Sequence, residues 1–327
     1  MNLTDNAIYT LTLSPCIDKS TRVDKFVPEK KLQCEHPIFE PGGGGLNVSK
    51  VLSRFGINNH AIYISGGYSG KMLDEMVKFE NYHPIRVESL MQTRENFIVY
   101  EKSSHLQYRF GMPVNEVSKT EQIGILRMLR KAKPGGWLII SGSAHADLKK
   151  DFYIKIFSEA RKKNMKIFCD TDRHTLKKII PLRPDWIKPN RNEWLHYLGK
   201  NELNEKEWIQ IGIQKALRNK INIVVSDGEK GAWYFQPDGK ALFYPSPKGI
   251  KVRSTVGAGD SMVAGIVISS LRSEPLTESV RFGMACAVST VMNPESEFCK
   301  PNQVIRWKKN IHFINLISFA ESFKTKH

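Results

Sequence analysis

The stretch Ser254-Thr255-Val256-Gly257-Ala258-Gly259-Asp260-Ser261-Met262-Val263-Ala264-Gly265 decides how the chain is read. Gly257, Ala258 and Gly259 carry little or no side chain, so a bound group can approach their backbone closely. Met262, Val263, Ile266, Val267 and Leu271 follow at helical spacing and predict a buried helix. A helix that opens on small residues presents free N–H groups at its positive end, which suits an anion. Asp260 falls in that first turn. It reads either as a carboxylate capping the helix or as a general base beside an anion hole, the arrangement that phosphoryl transfer to a hydroxyl requires.

Upstream of this stretch, helices and strands alternate. A helix at 121–133 precedes a strand at 137–141, a helix at 148–163 precedes a strand at 166–170, and a short helix at 173–180 precedes a strand at 185–188. Helices at 191–199 and 204–219 then lead to a strand at 221–226. This order predicts a mostly parallel sheet with helices on both faces. Residues 233–236 and 241–244 flank Pro237-Asp238-Gly239 as a hairpin. Two helices, at 276–292 and about 302–325, close the chain.

Nearer the N-terminus, a strand at 8–13 runs into Ser14-Pro15-Cys16-Ile17-Asp18, a turn that leaves Asp18 just past the strand's C-terminal end. Ligands of open α/β sheets gather there, although a turn carboxylate bonded to its own backbone is equally consistent. Residues 19–40 look extended and carry Lys30, Lys31 and Gln33. Pro41-Gly42-Gly43-Gly44-Gly45-Leu46-Asn47 then opens a helix with Val48, Val51, Leu52 and Phe55 on its apolar face. It is a second anion-capable helix start or else a flexible surface loop. Its spacing differs from a dinucleotide-binding turn, and the next strand ends in Ser65-Gly66-Gly67 rather than in an acid. Residues 85–112 are again extended, which suggests a small sheet built outside the α/β body.

Lys188-Pro189-Asn190-Arg191-Asn192-Glu193 follows a strand and opens a helix. Asn190 and Glu193 share a face and can point at a metal or its water, or form a capping box. Ser226-Asp227-Gly228-Glu229-Lys230-Gly231 either borders a nucleotide or turns the chain. The composition, 41% hydrophobic and 25% charged, is that of a soluble globular chain with room for a large core. Polar Met1 to Asn6 predict no secretory signal, and no apolar run approaches the length expected of a spanning helix. Five cysteines without a C-x-x-C pair fit free thiols in a reducing cytoplasm. The net charge of +16 is dispersed in short clusters with no nucleic-acid motif, so solvated helix faces account for it and nucleic acid is not an expected partner.

I-Y-T-L-T-L-S-P-C-I-D, F-E-P-G-G-G-G-L-N-V, Q-Y-R-F, K-P-N-R-N-E and S-T-V-G-A-G-D-S-M stand in this order over residues 7 to 300. Together they resemble the ribokinase-type sugar kinases, the PfkB family, in its phosphofructokinase and tagatose-6-phosphate kinase branch. The resemblance implies a three-layer α/β/α domain, with a mostly parallel sheet, formed by residues 1–13, 41–85 and 113–327. A small β-sheet lid would be formed by 14–40 and 86–112 and would make a homodimer interface.

By the same resemblance Asp260 is the base and Gly257, Ala258 and Gly259 form the anion hole. Asp18, Gly43, Gly44 and Asn47 would hold the sugar hydroxyls, while Lys31, Arg94 and Arg109 would meet the sugar's own phosphate or line its path. Lys188, Asn190, Ser226, Gly228 and Thr255, with Gly257 and Gly259, would bind ATP. Asn190 and Glu193 would organise Mg²⁺ through water, and K⁺ is a further candidate cofactor. The implied reaction is phosphorylation of fructose 6-phosphate to fructose 1,6-bisphosphate, with tagatose 6-phosphate or fructose 1-phosphate as alternative substrates. Departures from the family pattern stand at 144–147, 171–173 and 294–297, and Gln33 replaces an expected basic residue. They motivate a second reading, a weakly active sensor of sugar phosphate or nucleotide.

Overall fold

The computed structural model describes residues 7–294 and 297–316. In chain order its elements begin with β1 (Ile8–Thr12), β2 (Cys16–Val23), β3 (Ile38–Gly42), α1 (Gly44–Arg54), β4 (His60–Gly66), α2 (Gly67–Val77) and β5 (His83–Ser89). Next come β6 (Arg94–Glu101), β7 (Leu106–Phe110), α3 (Lys119–Lys131), β8 (Trp137–Ser141), α4 (Lys150–Lys162), β9 (Lys166–Asp170) and α5 (Arg173–Ile179). The chain continues through β10 (Trp186–Ile187), α6 (Arg191–Leu198), α7 (Glu205–Asn219), β11 (Asn222–Ser226), β12 (Gly231–Phe235) and β13 (Ala241–Pro245). It ends with α8 (Ala258–Leu271), α9 (Leu276–Val291), α10 (Pro301–Lys308) and β14 (Ile314–Asn315).

Ten strands form one sheet in the order β14-β13-β12-β11-β10-β9-β8-β1-β4-β5, parallel from β11 to β5 and antiparallel from β11 to β14. Alternation along its strands divides the core in two. Leu138 and Ile140 pack with the helices α3 to α7, whereas Trp137 and Ile139 pack with α1, α8, α9 and α10. These helix layers on either face of the sheet make the expected α/β/α arrangement. Helix α8 lies deep in the second layer, with every residue from Ser261 to Ser269 buried, so the turn carrying Asp260 opens from a tightly packed element.

The remaining strands, in the order β3-β2-β6-β7, form a separate four-stranded sheet. Three sequence expectations change here. Asp18 is not in a turn after β1; it lies inside β2, opposite Glu40 of β3 and Asn96 of β6, because the chain re-enters extended structure at Cys16. Residues 86–89 belong to the large sheet, since β5 pairs along its whole length with β4. The last helix stops at Lys308, and the chain then supplies β14, whose pairing with Leu242 and Phe243 covers the free edge of β13. Residues 317–325 of the expected helix lie outside the described residues.

Candidate active site

Asp260 does not cap its own helix. The N-cap of α8 is Gly257, at φ 70° with no side-chain cap, and the Asp260 carboxylate bonds to other elements. Its Oδ2 accepts from Asn47 Nδ2 at 2.9 Å, and its Oδ1 accepts from Ser141 Oγ at 3.0 Å. Burial, assisted by the neighbouring Asp170 carboxylate, pushes the Asp260 carboxyl up to about 6; the two hydrogen bonds and Lys188 oppose that rise. A carboxyl poised there is ionised at neutral pH yet basic enough to accept a proton, the compromise a general base needs.

The glycines are required by close packing. At Gly257 the left-handed backbone disfavours any side chain, and a Cβ would also fall 2.2 Å from Phe298 Cε1. A Cβ on Gly259 would stand 3.2 Å from Lys188 Nζ. Gly42 and Gly44 are equally constrained: a Cβ would meet Asp18 Oδ2 at 2.2 Å in the first case and Ser141 Oγ at 2.4 Å in the second. The four-glycine run is therefore a packed junction, and the flexible-loop reading fails. Helix α1 starts from Gly43 without a side-chain cap, as α8 does from Gly257, which leaves its first N–H groups open.

One cleft of about 360 Å³ is lined by Asp18, Gly43, Gly44, Arg94, Lys188, Asn190, Glu193 and Asp260 together. Asn47 adjoins it through its bond to Asp260. Lys188 is buried on the cleft floor, paired with Asp170 at 3.1 Å. Burial works against its charge, but Asp170, Glu193 and Asp260 hold its ammonium above the ordinary value. Asn190 and Glu193 form a reciprocal capping box on α6, with Glu193 N to Asn190 Oδ1 at 2.9 Å and Asn190 N to Glu193 Oε2 at 2.8 Å. Burial and the negative charge of Asp170 raise the Glu193 carboxyl to about 7.

Arg94 is held within the cleft by backbone carbonyls, and the remaining expected residues are placed differently. Arg94 donates to Ser14 O at 3.1 Å and Met112 O at 3.3 Å, while its buried Nε has no partner among the described residues. Arg109 reaches from β7 to Thr255, with Nη2 3.4 Å from Oγ1, so Thr255 faces the residue expected at the sugar phosphate. Ser226 ends β11 and Gly228 follows it; both stand outside the cleft lining, although Ser226 is bridged to Asn190. Lys31 is exposed in the loop between β2 and β3 and does not line the cleft.

Asn96, Ser141 and Asp170 belong to the cleft although the sequence did not single them out. Ser141 and Asp170 end parallel strands on the side where ligands of such sheets bind, a signal that could have identified them. Asn96 had no comparable local signal. The departing segments at 144–147 and 171–173 are joined to each other: Asp172 Oδ2 accepts from Ala144 N at 3.0 Å while Oδ1 caps α5 through His174 N and Thr175 N. In the third departure, Glu295 and Ser296 lie outside the described residues.

Residues 4–303 match the pfkB family carbohydrate kinase pattern. The chain belongs to that family. It is an ATP-dependent sugar kinase. It is 33% identical over 299 residues to the ATP-dependent 6-phosphofructokinase isozyme 2 of Escherichia coli, covering 89% of this chain and 94% of that one. It is 27% identical to the 1-phosphofructokinase of Bacillus subtilis, over 88% of this chain and 93% of that protein. The crystal structure of Escherichia coli phosphofructokinase-2 in complex with potassium superposes with a TM-score of 0.87 at 30% identity, over 93% of this chain and 98% of that one. The α/β/α body with a smaller second sheet is thus the fold of a pfkB kinase.

Proposed function

We propose that this kinase transfers the γ-phosphoryl group of ATP to a phosphorylated ketohexose, with fructose 6-phosphate accepting at its 1-hydroxyl. The observation that carries this reading is the Asp260 carboxylate, fixed by Asn47 and Ser141 in the first turn of α8 with its carboxyl near 6. Asp260 takes the hydroxyl proton as the sugar oxygen bonds to phosphorus and the bond from phosphorus to the ADP oxygen breaks. Developing charge on the transferred group meets the free N–H groups that open α8, with Lys188 beneath them. Asp18 accepts from sugar hydroxyls, and Gly43 and Gly44 let the sugar approach α1 closely.

A phosphorylated acceptor is favoured by Arg94, whose buried Nε has no partner in a cleft able to receive an anion, and by Arg109. Lys31 does not reach the cleft in this conformation and has no role in this account. The cleft also suits Mg²⁺, because Asp170, Asn190 and Glu193 offer hard oxygen donors and the buried Thr171 Oγ1 beside them lacks a partner. Asn190 Oδ1 and Glu193 Oε2 are committed to the capping box, so they would hold the ion through its waters. Mg²⁺ bound with ATP supplies neutralisation of phosphate charge. K⁺ remains a candidate activator on the strength of the relative crystallised with it.

The four-stranded sheet would act as a lid that excludes water, which competes with the sugar as acceptor. Its outer face sets Phe39, Lys19, Phe97 and Phe110 in one row across the four strands, with the Lys19 ammonium over two of the rings. A second copy of this chain would cover that row in a homodimer. Five free cysteines fit a reducing cytoplasm, and no helix among the described residues is long and apolar enough to cross a membrane.

Coupled ADP-release assays with fructose 6-phosphate, tagatose 6-phosphate, fructose 1-phosphate and fructose test the reading. Turnover on one phosphorylated ketose, abolished in Asp260→Asn, supports it. Absence of turnover, with sugar phosphate or ATP still bound in calorimetry, would replace it with the sensor reading.

A further inference from the structure

Every hydrogen-bonding position of the Asn96 amide is used, and each bond leads to a different part of the sugar side of the cleft. Its Nδ2 donates to Asp18 Oδ1 at 2.9 Å and to Cys16 Sγ at 3.2 Å. Its Oδ1 accepts from Met112 N at 3.1 Å and from Arg94 Nη1 at 3.4 Å. Cys16 adds a thiol donor to the same Asp18 oxygen at 3.3 Å. The parallel register of β2 and β6 sets Asp18 directly opposite Asn96, so this geometry is built into the strand pairing. Asp18 Oδ2, the oxygen left for a ligand, is confined on its other side by the close approach of Gly42.

The physical consequence is rotational. A carboxylate on a half-covered strand turns about its last bond unless one oxygen is anchored, and an anchored oxygen fixes the direction of the other. The amide of Asn96 is itself held from two sides. Arg94 lies two residues before it on β6, and Met112 lies in the segment that leads from β7 back to the large sheet's layer of helices. Asn96 therefore joins three parts that must agree before a sugar phosphate is held at both ends: the hydroxyl-binding carboxylate, the arginine and the return connection of the small sheet.

We infer that Asn96 is a positioning residue for the phosphoryl acceptor: it orients the Asp18 carboxylate and ties that orientation to Arg94 and to the return segment at Met112. This rests on the proposed reading of Asp18 as a sugar ligand. The Asn96 amide bonds only to Asp18, Cys16, Arg94 and Met112 among the described residues, so its loss weakens sugar binding and leaves the nucleotide side unchanged.

The test is a double-mutant cycle of Asn96→Ala and Asp18→Asn in the full chain. It is assayed with whichever of fructose 6-phosphate, tagatose 6-phosphate or fructose 1-phosphate the native enzyme turns over fastest. Removing a hydrogen bond to a charged group predicts that Asn96→Ala raises the sugar KM about tenfold or more, with the KM for ATP within about twofold. Because Asn96 acts through Asp18, the same change in the Asp18→Asn background costs about threefold or less. Asn96→Ser, which keeps one donor, recovers part of the loss.

Three results overturn the inference. One is an equal rise in both KM values; another is full additivity of the two substitutions. The third is an Asn96→Ala enzyme with native sugar KM while Asp18→Asn is impaired. If Asp18→Asn itself leaves the sugar KM unchanged, the reading of Asp18 fails and the inference fails with it. Should Asn96→Ala not fold, Asn96→Ser and Asn96→Gln complete the same cycle.

Discussion

Asn47 Nδ2 and Asp260 Oδ2, 213 residues apart in the chain, meet at 2.9 Å and tie together the first turns of two helices that both open on glycine. Together with Ser141 they fix the direction of the carboxylate without neutralising it. Asp260→Asn keeps the shape and both neighbours but cannot accept the proton. We expect kcat to fall by about 10²–10⁴, the range for loss of a general base, with ATP and sugar affinities retained in calorimetry.

The same substitution should make the protein more stable at pH 8. The folded Asp260 carboxyl sits at about 6 against an ordinary 3.8, so protonation favours the folded state, and that contribution is lost as pH rises through 6. An amide carries no such burden. The melting temperature of Asp260→Asn should exceed that of the native chain at pH 8, with the difference shrinking towards pH 5. A lower melting temperature for the variant at pH 8 would contradict the burial described for Asp260.

The pH–rate profile tests the hydrogen bonds directly. As the proposed base, Asp260 works ionised, so kcat/KM should fall on the acid side with a midpoint near 6. Ser141 and Asn47 stabilise the ionised form, and deleting either donor raises the carboxyl further. In Ser141→Ala the acid limb should therefore move to higher pH by about 0.5–1 unit, the equivalent of one ordinary hydrogen bond. A limb that stays in place would mean that another group is the base.

Gly44→Ala is a steric probe of the glycine junction. Its Cβ would fall 2.4 Å from Ser141 Oγ, the donor to Asp260. Activity should drop by at least about tenfold and the melting temperature by several degrees, because the backbone of β8 cannot yield as a side chain can. Asp172→Ala removes an N-cap and the anchor of Ala144 together, and should cost about 1–2 kcal/mol in denaturant melts.

The outer row of the small sheet can be tested by mass in solution. Phe97 is 37% exposed and Phe110 47% exposed, with the Lys19 ammonium over the ring of Phe97. Phe97→Glu should convert a dimer into a monomer in light scattering while the large domain melts unchanged. If the native chain is already monomeric at micromolar concentration, the proposed interface is absent.

Much of this architecture was legible in the sequence because it rests on local pattern. Trp137 to Ser141 and Lys166 to Asp170 are short apolar runs between helical patterns, and the structure returns both strands with those bounds. The glycine runs announced close approach, and the packing shows what approaches. Pairing between distant segments was not legible. Asp18 looked like a turn residue until β2 was seen pairing with β3 and β6, and Asn96 acquires its place only from that register. The strand at 83–89 reads as extended in any sheet, so sequence could not tell that it continues the large one. Asn190 and Glu193 were legible as a capping box and as metal neighbours alike, and the capping geometry is realised.

Helix α8 is buried from Ser261 to Ser269, whereas Asp18 stands on the separate four-stranded sheet. The two cleft carboxylates are thus mounted on supports of unequal stiffness, like the fixed and sliding jaws of a vice. Amide exchange should be slowest in α8 and markedly faster in β2 and β6, and a bound acceptor should slow the second group far more than the first. On the proposed reading of Asp260 and Asp18, the accuracy of proton removal belongs to the fixed jaw, and the choice of which sugar is gripped belongs to the sliding one.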